Sequence, residues 1–424
     1  MKLTKEEKNW VLYDVGNSAF TLLVSTIMPI YFNYLAEQEG LSSVDYLAYW
    51  GYAASIATLI VALIGPVFGT LADTKGFKKP IFTIALGVGA TGCIAMGFAK
   101  QWLLFLIIYI IAKIGFSASL IFYDSMLSDV TTDERMDQVS SQGYAWGYIG
   151  SCVPFIVCLC IVLGSGKLGI SMELAMGISF CIVAAWWILM TLPMLKTYRQ
   201  INYVERKPHA FAESFRRIGR TFQNVRKEKK IFLFLLAFFF YIDGVYTIID
   251  MATAYGSALG LDSTGLLLAL LVTQFVAFPC AILFGRLAQR FRTENLITIC
   301  ITAYLGIALF ACVLSTQLQF WILAILVGMF QGGIQALSRS YYARIIPAEQ
   351  SGEYFGLLDI CGKGASFLGT TIVSVVSQLT GDINKGVGMI AVLFVVGIIF
   401  FRIAVGSENA RRKVAGMTSV DITE

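Results

Sequence analysis

Charge is what this 424-residue chain has least of: Asp, Glu, Lys and Arg make up 14% of it, against 57% hydrophobic residues. Soluble chains run near about 25% charged and roughly 45 to 50% apolar, so the polar surface needed by a water-soluble globule is missing. Histidine is nearly absent, and the single His209 excludes a histidine metal site. The nine cysteines (93, 152, 158, 160, 181, 280, 300, 312 and 361) all fall in apolar runs, and the spacing of Cys158 and Cys160 matches no metal motif. They read as small core residues. No nucleophile with a neighbouring base is present, and GTLADTKG lacks the G-x-x-x-x-G-K-[ST] spacing of a phosphate loop. Nothing points to an enzyme or a cofactor. A cleavable leader is also missing, because MKLTKEEKNW leads straight into a full-length apolar run, and no removable signal peptide is expected.

Long apolar runs are what the chain has instead. At about 20 residues per crossing, they predict twelve membrane helices near 10–36, 46–72, 80–98, 102–124, 140–164, 170–195, 231–256, 264–287, 296–315, 319–340, 352–380 and 386–405. GTLADTKGFKKP at 69–80 reads as the tight turn between the second and third. Basic residues set the orientation. The side with both termini and the even-numbered turns holds 27 Lys or Arg, and the other side holds only Lys100, Lys167 and Lys385. Both termini are therefore expected in the cytoplasm, in a multi-pass protein of the plasma membrane. The net charge of +5 is then a topology signal, with the lipid bilayer as partner, no nucleic acid, and a monomer expected. Residues 1–195 and 231–405 read as two six-helix bundles, joined by a basic loop at 196–230 and followed by a tail at 406–424. In the loop, Phe211, Phe215, Ile218 and Phe222 recur at helical spacing. This predicts an amphipathic helix on the membrane surface, with a plain solvated linker as the alternative.

The halves repeat each other. Shifting the 69–80 turn by 216 residues superposes Gly69, Leu71 and Ala72 on Gly285, Leu287 and Ala288, while Asp73 becomes Gln289. YDVGNSAF at 13–20 is echoed by YIDGVYTI at 241–248. Duplication of a six-helix unit accounts for both.

Two such halves, a long loop between them and G-x-L-A-D-x-x-G-x-K-K after the second span resemble the major facilitator superfamily of secondary transporters. More narrowly, YDVGNSAF, FYDSMLSDV (122–130), SSQGYAWGYIGS (140–151), GGIQALSRSYYARIIP (332–347) and EYFGLLDICGKGASFLG (353–369) resemble the vacuole-effluxer branch, the autophagy-related amino-acid effluxers and their bacterial relatives. The resemblance implies an all-α integral membrane protein of twelve transmembrane helices in two pseudo-symmetric six-helix bundles. It also implies alternating access around a cavity lined by spans one, four, seven and ten. Gly69, Asp73, Gly76 and Lys78 would form the conformational gate, with Asp73 meeting the N-terminus of span eleven. The family's usual Arg after the Asp and after the second Gly are Thr74 and Phe77 here, so the gate lacks its usual base.

Charges within the membrane are costly, at least about 2.5 to 3.5 kcal/mol at the centre on insertion scales. Lys113, Asp243, Asp250, Asp359 and Lys363 qualify by depth. Asp359 and Lys363, four apart, share a helix face and can neutralise each other. Lys113 and Asp243 come from spans of opposite halves. They could offer a base and an acid to a zwitterion, with Asp243 as a proton-coupling carboxylate, or they could form a permanent salt bridge. Asp14 is shallower, beside Asn17 and Ser18, and reads either as an interface residue or as a contact near the cavity mouth that aids coupling. Gln331, Gln335, Ser338 and Arg339 make one polar face of span ten, and Tyr109 and Tyr246 are candidate substrate walls. Gly143, Gly147 and Gly150 with Pro154 allow close helix contact in span five. The reading that follows is a transporter of an amino acid or short peptide, in the efflux direction, coupled to H+ with Na+ as the other candidate. A multidrug or lipid-like solute exporter and a transport-incompetent scaffold or sensor are the alternatives.

Overall fold

The computed structural model describes residues 2–41, 43–205 and 227–420, together with Thr221 and Val225. Twelve long helices run through it: α1 Lys5–Gln38, α2 Ser43–Ala72, α3 Lys78–Met96, α4 Trp102–Ser125, α5 Met136–Leu163 and α6 Met172–Thr197 in the first half. In the second half they are α7 Lys229–Ala258, α8 Ser263–Leu287, α9 Thr293–Ala311, α10 Gln317–Ile345, α11 Ser351–Thr380 and α12 Ile390–Val420. Eleven of the described helices are long and apolar enough to cross a bilayer; in α11 only Leu368–Thr380 forms an apolar run. Its 30 residues are still long enough to span, and its polar first half is covered by protein rather than lipid. Leu59, Leu63, Ile84, Leu189 and Leu283 lie exposed on the outer surface, where acyl chains would cover them.

Local rules fix the helix ends. Thr4 caps α1, accepting from the Glu7 N–H at 3.2 Å while the Glu7 carboxylate accepts from the Thr4 N–H at 2.7 Å. Within α1, residues Leu23–Ile27 form a π turn just before Pro29. Proline has no N–H to donate to the Ser25 carbonyl one turn back, and the backbone pattern adjusts there; the Leu22 carbonyl at the start of the π turn accepts from the hydroxyls of Ser25, at 3.2 Å, and Thr26. The tight turn after α2 places Gly76 at φ +79, where a side chain would be strained.

The two seams between the halves obey the repeat: α2 packs on α11, and its counterpart α8 packs on α5. The end of the bundle that carries the 69–80 turn is here called the basic end, and the opposite one the far end. The loop after α6 begins as a strap on that turn. Val204 donates to the Asp73 carbonyl at 2.8 Å, and Lys75 donates back to the Val204 carbonyl at 3.1 Å. The expected amphipathic helix and His209 lie outside the described residues. α12 stays helical to Val420, beyond the point where a tail was expected to begin.

Candidate functional site

At the basic end both seams are closed. In the first, Asp73 is fully buried and its carboxylate accepts from the Gly352 and Glu353 N–H groups at 2.7 and 3.0 Å, the open donors at the start of α11. Gly69 and Gly352 let the backbones touch: a Cβ on Gly352 would lie 2.6 Å from the Gly69 carbonyl oxygen. Lys78, also fully buried, reaches the Ser351 hydroxyl at 2.9 Å, Asp129 at 3.5 Å and Asp73 at 3.8 Å. A base therefore does stand beside Asp73: Lys78, paired with Asp129, occupies the place where the arginines absent at 74 and 77 would be expected. Asp129 is in turn held by the Ile201 and Asn202 N–H groups of the strap, at 3.2 and 2.8 Å, and by the Tyr198 hydroxyl. Burial, and then the neighbouring Asp129 charge, push the Tyr198 phenol well above its ordinary range, so it remains a donor.

In the second seam Gln289 donates to Gln138 at 3.0 Å. Asp137 accepts from Arg344 through both oxygens at 2.7 and 3.0 Å, and from Thr293 at 2.7 Å. Nothing in the family pattern singled out Asp137 and Arg344; the 216-residue shift, which sets Asp137 opposite Glu353, is the signal that could have.

Just inside the basic end lies a buried ion cluster that joins the halves. Arg339 of α10 reaches into the first half. Its Nη1 donates to Asp124 at 2.9 Å, Nη2 lies 3.4 Å from Asp14, and Nε and Nη2 donate to the Ser140 hydroxyl and carbonyl at 2.9 and 3.0 Å. Its guanidinium sits over the rings of Tyr144 and Trp10, at 4.3 and 4.7 Å. Asp14 also accepts from the Tyr123 hydroxyl at 2.7 Å and from Asn17 at 3.3 Å. Gly143 leaves room for this, since its Cβ would fall 3.1 Å from Arg339 Nη2. Asp14 is thus no interface residue; only 6% of it is exposed. The polar stripe of α10 pointed to Arg339, but its partners on α1, α4 and α5 were beyond sequence reasoning.

Above this cluster, polar groups of both halves face one another in solvent-accessible space. Asp250 is solvent-exposed although protein surrounds it, and the half-buried Tyr246 faces Asp124, Asp250 and Asp359. With the basic end shut, solvent reaches these groups from the far end. Lys113 is half-buried and lies along the Phe116 ring at 5.4 Å, and its charge acts on Asp250. The acid of α7 that faces Lys113 is therefore Asp250 and not Asp243, two helical turns away. Asp243 is instead completely buried inside the second half, accepting from the Gly369 N–H at 3.0 Å and from Thr247 at 3.3 Å, with Oδ2 unpartnered. Tyr109 is no cavity wall: it is buried and stacks on Trp50, with centroids 4.6 Å apart. Gln335 bridges the halves by accepting from the Tyr148 hydroxyl at 2.7 Å, and Gln331 is buried in α10. Asp359 is half-buried and acts on Asp124 across the seam, while the side chain of Lys363 lies outside the described residues.

The chain is similar to known transporters in sequence and in fold. The family model described as "Vacuole effluxer Atg22 like" matches residues 3–134 and 128–415. An uncharacterized MFS-type transporter of Bacillus subtilis, YxiO, is 44% identical over 403 residues, covering 94% of both chains. Autophagy-related protein 22 of Cryptococcus neoformans is 27% identical over 314 residues, covering 69% of this chain and 53% of its own length. Among solved structures, the MFS transporter FucP in the outward conformation superposes with a TM-score of 0.69 at 15% identity, covering 94% of this chain and 97% of FucP. A bacterial homologue of the iron transporter ferroportin in the outward-facing state does so with a TM-score of 0.67 at 14% identity, covering 95% and 98%. At these identities the structures establish the fold.

Proposed function

The chain belongs to the Atg22-like vacuole effluxer family of major-facilitator transporters, and from that premise we propose that it exports a small zwitterionic solute, an amino acid or short peptide, by alternating access coupled to H+. The observation that carries this reading is a pair of opposite charges, one from each half. A base of one half, Lys113, faces an acid of the other, Asp250, in solvent-accessible space above a shut basic end. A solute with an ammonium and a carboxylate complements such a pair, whereas an apolar drug would strand both charges. The count of basic residues supports placing the basic end in the cytoplasm of a plasma-membrane protein, which makes this conformation outward-facing. The family name, a vacuole effluxer, supports the direction, and the resemblance to the autophagy-related amino-acid effluxers supports the solute class.

For coupling, Asp243 is the carboxylate that fits. It is out of water, has two donors on one oxygen and none on the other, and taking up a proton would remove a buried charge. The test is transport in proteoliposomes of a panel of labelled amino acids and small peptides, with and without an imposed pH gradient. Gradient-driven movement of a zwitterion is expected in the wild type, lost in Asp250→Asn and uncoupled from the gradient in Asp243→Asn. If nothing in the panel moves, the zwitterion reading falls and lipid-like or drug-like solutes take its place.

A further inference from the structure

Arg339, Asp14 and Asp124 carry an uneven charge: one guanidinium serves two carboxylates, leaving one negative charge in excess. The three members differ in access. The side chains of Arg339 and Asp14 are 4% and 8% exposed, while that of Asp124 is 26% exposed. Asp124 is therefore the member of the cluster that a solute in the cavity meets first. The cluster also differs from the seams in its division of labour, because the cation comes from the second half and its partners Asp14, Asp124, Ser140 and three aromatic rings all come from the first. The halves cannot part at the basic end without drawing Arg339 out of its cage. A buried cation stripped of its partners is strongly unfavourable, and so are two neighbouring carboxylates stripped of theirs. The empty protein is accordingly plugged.

We infer that this cluster is the receptor at the cavity floor, with Arg339 taking the solute's carboxylate and Asp124, backed by Asp14, taking its ammonium; the inference rests on the zwitterionic solute proposed above. The charges balance. Inserted between Asp124 and Arg339, a zwitterion gives the guanidinium a new anion and gives the acid pair a new cation, so the acid pair with its cation keeps the one excess negative charge. Arg339 is the residue suited to this, since its planar fork can exchange Asp14 and Asp124 for a solute carboxylate held through two parallel bonds, which a lysine ammonium does less well. A lone amine would leave Arg339 uncompensated, and a lone carboxylate would leave the acids so. The direct bond between halves becomes a solute-bridged one, and the basic end is released. In the reverse sense, Asp124 closing again on Arg339 displaces the solute toward the far end.

The test is hydrogen exchange of peptides covering 348–356 at the start of α11, measured on the full-length protein in lipid nanodiscs. The probes are a mixture of L-amino acids, the matching primary amines without the carboxylate, and the N-acetylated amino acids without the ammonium. In the wild type only the zwitterions should raise exchange, by at least about threefold. Arg339→Gln should raise it about tenfold with no solute added, and further addition should do nothing. Asp124→Asn, which leaves Asp14 and Arg339 as a neutral pair, guards against misfolding of the first variant: its basal exchange should rise by less than in Arg339→Gln, because Asp14 still holds the guanidinium, while its response to zwitterions disappears, and a retained response would overturn the split receptor. Exchange in Arg339→Gln within twofold of wild type would overturn the plug, even if amino acids are transported. Equal effects of amines or N-acetyl compounds would overturn the split receptor. Opening by Arg339→Gln with no member of the panel transported or active on exchange would keep the plug and remove the zwitterion as its ligand, so the two proposals fail separately.

Discussion

The two seams at the basic end occupy equivalent places in the two halves and close by different chemistry. In the α2–α11 seam a buried carboxylate, Asp73, sits on the N-terminus of a helix, and a fully buried lysine ties it to Asp129 and Ser351. In the α8–α5 seam the equivalent position is the neutral, exposed Gln289, which meets Gln138, and the charge has moved to Asp137 and Arg344. Those side chains are 9% and 22% exposed, against 0% for Asp73 and Lys78. The first seam depends on charges that cannot be separated without a desolvated remainder; the second depends on hydrogen bonds that water can replace at its rim. The same backbone contact thus supplies one stiff closure and one compliant closure.

The largest effect should come from Lys78→Met, which leaves Asp73 and Asp129 both buried without their cation. Breaking a buried pair costs about 3 to 5 kcal/mol, so thermal unfolding in detergent should show a loss of that order; a loss under about 1 kcal/mol would mean water already reaches the seam. Next comes Gly352→Ala, whose new Cβ would meet the Gly69 carbonyl oxygen at 2.6 Å. Overpacking of this kind costs about 1 to 3 kcal/mol, and exchange at the start of α11 should quicken. In the second seam, Gly285→Ala, at the counterpart of Gly69, meets the Ser141 side chain at 2.7 Å and should open the α5 end by less. Arg344→Ala should cost about 1 to 2 kcal/mol, the figure for charge-assisted bonds lowered by partial exposure, read as faster exchange in peptides covering 133–140. Smallest is Gln289→Ala, about 1 kcal/mol or less, one neutral hydrogen bond. If Gln289→Ala loosened its seam as much as Lys78→Met loosens the other, the contrast between stiff and compliant closures would be lost.

Several of these features were legible in the chain. That Asp73 would meet the start of α11 could be expected, because the resemblance to the major facilitator superfamily implies it on a local signal, a small residue, an acid and a turn within twelve positions. The misread pairing of Lys113 with Asp243 has an equally physical origin. Asp243 and Asp250 are seven residues apart, so they share a helical face, and sequence periodicity cannot say which of them reaches the cavity and which packs against Gly369. Tyr109 failed for a related reason, because an aromatic side chain one turn from a charge is compatible with either side of a helix bundle. Arg339 was visible as a polar residue in an apolar helix, yet its acids lie 215 and 325 positions away.

The sequence by itself determined that the chain is a membrane protein of twelve helices, that its halves are duplicates and where its polar groups sit along each helix. These follow from free energies that act locally, the cost of charge in hydrocarbon and the need of each backbone to satisfy its own hydrogen bonds. The tertiary structure alone decided which of those polar groups meet, that Lys78 replaces the missing arginine, that Asp243 turns inward and that Arg339 is caged by the opposite half. Depth and rotation about the helix axis are set by packing between distant segments, and a linear pattern with a period of 3.6 residues carries the face of each helix but not the partner that covers it.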